Sequence, residues 1–284
     1  MPDNTTALNV AVGGDVTLSG ERTGEGAAIV LLHGLTATRR YVVMGSRTLE
    51  RSGHTVIAYD ARGHGRSSPA PDRAYGYEDL AADLLAVLDA TGIERVALAG
   101  ASMGAHTAVR FALEHPERVT ALGLITPAYE SSSEQADQQL AHWDALARGL
   151  REDGVEGFLA AYGLTGLPET WRETIEVAVS QRMSLHEHLG AVAEALEVVP
   201  RSPPFDHMSD LGEIAVPTLV VASRDEADPE HPLAVGERYA AAIANARLVV
   251  EDAGVGGRPI ASPIAWQGGQ LSKLLVELIN RRTI

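Results

Sequence analysis

A serine flanked by small residues stands in the run Gly100-Ala101-Ser102-Met103-Gly104. An apolar run rich in strand-forming residues, Val96–Ala99, precedes it, and residues with helical spacing follow it as far as His115. A strand-turn-helix of this kind holds the serine in strained backbone, with its Oγ projecting from the sheet. The context disfavours a glycine-rich turn with an incidental serine. The pattern therefore predicts Ser102 as a nucleophile, with the Met103 N–H at the helix start stabilising an oxyanion.

A second oxyanion donor is expected from the segment Leu31-Leu32-His33-Gly34-Leu35-Thr36. This segment ends the strand predicted over Ala28–Leu32, so its turn lies at the same edge of the sheet as Ser102. One hydrogen bond leaves much of the oxyanion charge uncompensated in a dry site. The Leu35 N–H is the predicted second donor, and His33 is expected to be a structural residue that bonds neighbouring backbone.

A third segment, Asp60-Ala61-Arg62-Gly63-His64-Gly65-Arg66-Ser67, follows the strand predicted over Thr55–Tyr59. Its glycines shape a loop. We assign Asp60 and Arg62 to bracing of that loop rather than to chemistry.

These segments need a sheet to hold them, and apolar runs short enough for strands buried on both faces recur along the chain. The predicted strands are Ala28–Leu32, Thr55–Tyr59, Val96–Ala99, Ala121–Ile125, Thr218–Val221 and Leu248–Val250, preceded by an antiparallel hairpin over Leu8–Ser19. Helical spacing lies between them at Arg39–Arg51, Tyr77–Thr91, Ser102–His115, Pro232–Ala244 and Ile264–Ile279. Strand alternating with helix predicts an α/β fold with a mostly parallel, doubly wound sheet.

The interval from Glu130 to Glu213 contains no convincing strand. Amphipathic patterns at Ala136–Leu150 and Trp171–Arg182 predict helices instead. Ligands bind at the carboxyl edge of open α/β sheets, so we interpret the interval as a helical cap inserted after the sixth strand. The predicted division is a core of residues 1–129 and 214–284 with a cap of residues 130–213.

The three chemistry-bearing segments, in this order and spacing, resemble the α/β-hydrolase superfamily, which includes esterases, lipases, haloperoxidase-like enzymes and carbon–carbon bond hydrolases. The resemblance covers nearly the whole chain. It implies that Ser102 attacks a carbonyl, that a carboxylate follows a later strand and that a histidine follows the last strand. The family's acid commonly precedes a proline by four residues, as Asp228 precedes Pro232, so Asp228 is our choice and Asp225 the alternative.

The histidine does not stand where the resemblance implies it. After the last predicted strand the chain reads Glu251-Asp252-Ala253-Gly254, and Val255 follows where the family usually has histidine. A valine cannot accept the serine proton. Three explanations stay open: a base relocated to His207, His231, His186 or His188; a His-to-Val change that disabled the triad; or a fold used without hydrolysis, for ligand binding or for a lyase-like or rearrangement step.

Composition limits the partners. The 284 residues include 38 acidic and 23 basic side chains, for a formal charge of −15 that repels nucleic acid and anionic membranes. The absence of cysteine excludes thiol catalysis, and we expect neither a metal nor another cofactor.

With no signal peptide or membrane-spanning stretch in the sequence, we expect a cytoplasmic protein. Its expected partner is a small acyl compound: a carboxylic ester, thioester or lactone cleaved by a serine esterase.

Overall fold

The computed structural model describes residues 5–13, 15–130, 136–166, 169–224, 228–252 and 262–281. Within these ranges eight strands form one sheet in the order β1-β2-β4-β3-β5-β6-β7-β8. Their bounds are β1 Thr6–Val12, β2 Val16–Thr23, β3 Ala27–Leu32, β4 His54–Tyr59, β5 Val96–Ala101, β6 Val119–Ile125, β7 Thr218–Ala222 and β8 Ala246–Val250.

The sheet is antiparallel at one edge and parallel elsewhere. β1 pairs with β2 and β2 with β4 in antiparallel register, whereas all pairs among β3 to β8 are parallel. The parallel strands are the apolar runs of the sequence, and β4 and β7 are buried along their whole length, as strands covered on both faces must be. The predicted mostly parallel sheet with a leading hairpin is confirmed.

Helices cover both faces of the sheet. Their bounds are α1 Thr48–Arg51, α2 Tyr77–Thr91, α3 Met103–Glu114, α4 Ala136–Tyr162, α5 Glu169–Met183, α6 Leu189–Val198, α7 Leu233–Ala242 and α8 Gly268–Asn280. Helices α2, α3 and α7 contribute to the hydrophobic core on one face, and α1 and α8 to the core on the other. In the parts of the chain that the structure describes, no helix has the length and apolarity to cross a membrane.

The predicted helix over Arg39–Arg51 is wrong. The structure has a 3₁₀ turn at Arg39–Tyr41 and the single turn of α1. Between them Met44 and Gly45 have φ angles of 49° and 73°, and left-handed residues cannot continue a right-handed helix. The apolar spacing here reflects side chains buried against the sheet rather than a continuous helix.

Helices α4, α5 and α6, which we call the inserted helices, lie between β6 and β7. Helix α4 breaks at Asp153 and Gly154, where the Gly154 φ is 62°. The two halves then approach closely, since a Cβ on Gly149 would lie 2.3 Å from the carbonyl oxygen of Gly157. The predicted helix over Ala136–Leu150 is therefore the first arm of a longer, folded-back element.

Gly104, two residues after Ser102, has no room for a side chain, so its substitution should lower the stability of the protein. A Cβ on Gly104 would lie 2.1 Å from the backbone oxygen of Leu32, so Gly104→Ala forces α3 away from β3. We expect unfolding in urea to show a loss of about 2–3 kcal/mol. The control is Gly269→Ala in the first turn of α8, where no atom lies within 4 Å of an added Cβ, and where alanine should stabilise by up to about 1 kcal/mol. Equal losses in the two variants would contradict this account.

Candidate active site

Ser102 occupies the sharp turn between β5 and α3. Its backbone has φ 49° and ψ −112°, a conformation that non-glycine residues rarely adopt. Two bonds hold it there, because the Ser102 N–H donates to the carbonyl of Ile125 (2.9 Å) and the Ser102 carbonyl accepts from the His106 N–H (3.0 Å). The Oγ forms no hydrogen bond with another described residue, which leaves it available to a ligand.

Small residues make this turn possible. A Cβ on Gly100 would lie 2.1 Å from the carbonyl group of Gly104, so the strand and the helix touch through bare backbone. Gly34 lies beside the serine, since a Cβ there would be 3.6 Å from the Ser102 Cβ. The segment after β3 is thus brought against the serine turn, as the shared edge of the sheet requires.

The two predicted oxyanion donors flank this contact. Met103 is the first residue of α3, so its N–H has no partner within the helix. Leu35 lies in the tight turn over residues 34–37, which the Ala37 N–H closes by donating to the Gly34 carbonyl (2.9 Å). The structure therefore brings the Leu35 turn and the start of α3 to the same point beside Ser102.

A cavity of about 470 Å³ opens above Ser102. Its walls come from the sheet edge and from the inserted helices, among them Trp143, Phe158, Tyr162, Ile175 and Val179. Asp228 and His231 line the same cavity from the loop after β7. A predominantly apolar wall with a few convergent polar groups is the usual composition of a small-molecule site.

Asp228 and His231 form a hydrogen-bonded pair. The His231 Nδ1 lies 2.8 Å from the Asp228 Oδ1, and each side chain is 19% exposed. Burial lowers the pKa of His231, but the charge and hydrogen bond of Asp228 outweigh it and the net pKa is raised. Burial likewise raises the pKa of Asp228, yet the His231 charge leaves the net pKa lowered. The pair is thus suited to hold a carboxylate beside an imidazolium. The His231 Nε2 forms no hydrogen bond with another described residue.

The other candidates for the acid and the base either do not line the cavity or lie outside the described residues. Asp225 and Val255 both fall outside the described ranges. His186 is buried and bonds the Gly65 N–H and the Thr36 carbonyl, while His188 and His207 are exposed. Among the described histidines proposed as a relocated base, His231 is the one that lines the cavity.

Two further polar groups in the cavity have no signal in the sequence. Arg182 of α5 reaches the cavity, and its Nε is buried without a hydrogen-bond partner among the described residues. The His142 Nε2 of α4 lies 3.1 Å from the Glu230 Oε1, whose hydrogen bond raises the pKa of His142. Both come from inserted helices remote in sequence from Ser102, so the fold brings them together rather than any local motif. No group of side chains suited to a metal ion occurs in the part of the chain that the structure describes.

Comparison with known proteins places this geometry in context. Residues 27–162 match the alpha/beta hydrolase fold family. A 2-hydroxy-6-oxononadienedioate/2-hydroxy-6-oxononatrienedioate hydrolase of Pseudomonas putida is 34% identical over 245 residues, 83% of this chain and 84% of that protein. A putative carbamate hydrolase of Variovorax paradoxus is 31% identical over 207 residues, 72% and 75% of the two chains.

Solved structures agree on the fold. An esterase of Thermogutta terrifontis superposes with a TM-score of 0.77 at 24% identity, over 96% of this chain and 97% of that one. An enol-lactonase of Burkholderia xenovorans superposes with a TM-score of 0.74 at 25% identity, over 96% and 100%. The relatives named here are hydrolases, and the chain belongs to the α/β-hydrolase fold family.

Proposed function

We propose that the protein is a serine hydrolase that cleaves a small carboxylic ester, thioester or lactone. Ser102 is the nucleophile, His231 the general base and Asp228 the carboxylate that orients it. The Met103 and Leu35 amides hold the oxyanion, and the inserted helices act as the cap over the site. The observation that carries the proposal is that Ser102, held in strained backbone, shares one cavity with the hydrogen-bonded Asp228–His231 pair.

The pairing determines which nitrogen is the base. The His231 Nδ1–H donates to the Asp228 carboxylate, so the neutral ring carries its lone pair on Nε2. Nε2 takes the Ser102 proton as Oγ attacks the acyl carbon, and returns it to the leaving group. Water then repeats the sequence on the acyl-enzyme, releasing the acid and restoring the serine. Acid and base come from one loop in this scheme, so no base is required at Val255.

The cavity also favours a substrate with a negative group. Arg182 offers a buried, unpaired Nε among the described residues, and a buried guanidinium N–H is costly to leave without an acceptor. The guanidinium also interacts with Tyr162 and Asp228, and in this proposal a carboxylate on the substrate pairs with it in the cavity. The relative from Pseudomonas putida carries a dioate in its name, which supports an acyl substrate that bears a carboxylate.

Covalent labelling separates a hydrolase from its rival, a non-hydrolytic binding protein of the same fold. We expect a fluorophosphonate probe to label the protein, and Ser102→Ala to abolish labelling because the nucleophile is gone. His231→Gln should slow labelling by roughly 10³-fold, since the base is removed while the oxyanion donors remain. Mass spectrometry of the labelled peptide measures both.

A different pattern would overturn the assignment. If the protein takes no label but Val255→His gains both labelling and turnover of a p-nitrophenyl ester, the triad is disabled at that position. The chain then binds ligands without hydrolysing them. Fast labelling in His231→Gln would instead show that another group is the base.

The pH profile tests the charge pair. His231 must be neutral to accept a proton, and its pKa is raised above 6.5. We therefore expect kcat/KM to rise with pH through a midpoint above 6.5. Asp228→Asn removes the charge that raises this pKa, so the midpoint should move down while the plateau falls by about 10³–10⁴-fold. A midpoint that does not move in Asp228→Asn would separate His231 from catalysis.

Substrate charge tests Arg182. With p-nitrophenyl monosuccinate, Arg182→Met should lower kcat/KM by about 10–100-fold, the effect of one lost charged hydrogen bond. With p-nitrophenyl acetate the change should stay within about 3-fold. The matched control is Arg172→Met on the same helix, whose side chain is exposed. Equal losses on both esters in Arg182→Met would argue against carboxylate recognition.

A further inference from the structure

Three buried histidine rings form a row outside the Ser102 cavity. The ring centroids of His33 and His64 are 5.2 Å apart, and those of His64 and His186 are 5.5 Å apart. His33 lies in the loop after β3, and His64 lies in the loop after the neighbouring strand β4. His186 lies between α5 and α6, so it belongs to the inserted helices. The row therefore joins two loops of the sheet to the inserted helices.

Each ring has one nitrogen within hydrogen-bond distance of a carbonyl of the same turn. The His33 Nδ1 lies 2.8 Å from the Gly34 oxygen, the His64 Nε2 lies 2.6 Å from the Leu35 oxygen, and the His186 Nε2 lies 3.3 Å from the Thr36 oxygen. Three successive carbonyls of the turn that carries the proposed oxyanion donor thus face three imidazoles. The His64 Nδ1 also faces the Arg62 carbonyl (2.9 Å), and a neutral ring can donate to only one of its two carbonyls.

Holding these carbonyls orients the amides. A trans peptide is planar, with its N–H pointing opposite to its C=O. The Gly34 carbonyl belongs to the same peptide as the Leu35 N–H, and the next two carbonyls fix the peptides that follow. A ring that holds a carbonyl therefore fixes the direction of the N–H on the other side.

His186 differs from the other two rings because it ties the turn to the inserted helices. Its Nδ1 accepts from the Gly65 N–H (2.9 Å), so the proton is on Nε2 and donates to Thr36. The neighbouring Glu187 N–H donates to the Gly65 carbonyl (2.9 Å), which strengthens the junction. Burial lowers the pKa of His186 to about 3, which agrees with a neutral ring.

We propose that His186 is a positioning residue that couples seating of the inserted helices to the geometry of the oxyanion turn. The proposal rests on the proposed hydrolase function and concerns the same site. When the inserted helices are seated, the Nε2–H of His186 holds the Thr36 carbonyl and the turn presents its amides to Ser102. The Thr36 carbonyl shares its peptide with the Ala37 N–H, which donates to the Gly34 carbonyl (2.9 Å). Since the Gly34 carbonyl shares its peptide with the Leu35 N–H, loss of the His186 bond misaligns the oxyanion donor.

Two substitutions separate the two bonds of the ring. In His186→Gln the side-chain N–H₂ replaces Nε2 and can still donate to Thr36. In His186→Asn the side-chain oxygen replaces Nδ1 and can accept from Gly65, but the side chain is too short to reach Thr36. We expect kcat on a short p-nitrophenyl ester to fall by about 10–100-fold in the Asn variant, with KM changed by less than about 3-fold. The Gln variant should stay within about 3-fold of the native kcat.

A surface contact at the same junction provides the control. Glu187 makes an exposed ion pair with Arg66 at 3.5 Å, and Glu187→Gln removes it without touching the turn. Its kcat should be unchanged. A loss of kcat that is equal in the Gln and Asn variants, or no loss in the Asn variant, would overturn the proposal.

Hydrogen exchange distinguishes failure of this proposal from failure of the proposed function. In His186→Asn, the peptide covering residues 33–38 should exchange its amides at least about 10-fold faster than in the native protein and in His186→Gln. This readout does not require turnover. If the native protein neither labels nor turns over esters, the hydrolase function is wrong, and unchanged exchange in His186→Asn would show that His186 does not hold the turn.

Discussion

The close approach of α3 to β3 is the constraint on which the site depends. An added Cβ at Gly104 would lie 2.1 Å from the Leu32 carbonyl, and one at Gly100 would meet the Gly104 carbonyl group at the same distance. With no side chains between them, β5 and α3 join through a tight turn in which Ser102 has φ 49° and ψ −112°. The strain then projects Oγ from the sheet, where the cavity and the Leu35 turn converge. Every other group in the site is placed relative to this point.

Charge in the cavity is balanced locally, although the protein as a whole carries −15. Asp228 faces His231 and Glu230 faces His142, so each carboxylate has an imidazole within hydrogen-bond distance. Arg182 adds a cation whose Nε has no partner among the described residues. The anionic substrate group proposed above would therefore meet a guanidinium in the cavity, although the charge of that guanidinium also acts on Asp228.

The sequence predicts the parts of this molecule that depend on local order. Strands β3 to β8 follow from apolar runs, and the position of Ser102 follows from a strand-turn-helix motif. Each of these signals is contained in a short stretch of the chain.

The helix predicted over Arg39–Arg51 fails because Met44 and Gly45 adopt left-handed backbone, which side-chain spacing does not reveal. Arg182 and His142 escape prediction because they reach the cavity through helices remote in sequence, and the domain division at residues 130 and 213 stays a prediction.

The histidines show that residue type alone does not identify a general base. His33, His106 and His186 are buried among backbone groups, and burial leads the causes that lower the pKa of each to about 3. His106, for example, accepts from the Ala128 and Tyr129 N–H groups and contacts the Tyr77 hydroxyl, as a neutral ring that braces the segment after β6. His231 is also buried in part, yet a carboxylate three residues away reverses the direction of its pKa shift. Whether a histidine braces the backbone or, as proposed for His231, accepts a proton thus depends on whether the fold supplies a carboxylate, which is a property of the assembled site and not of the residue type.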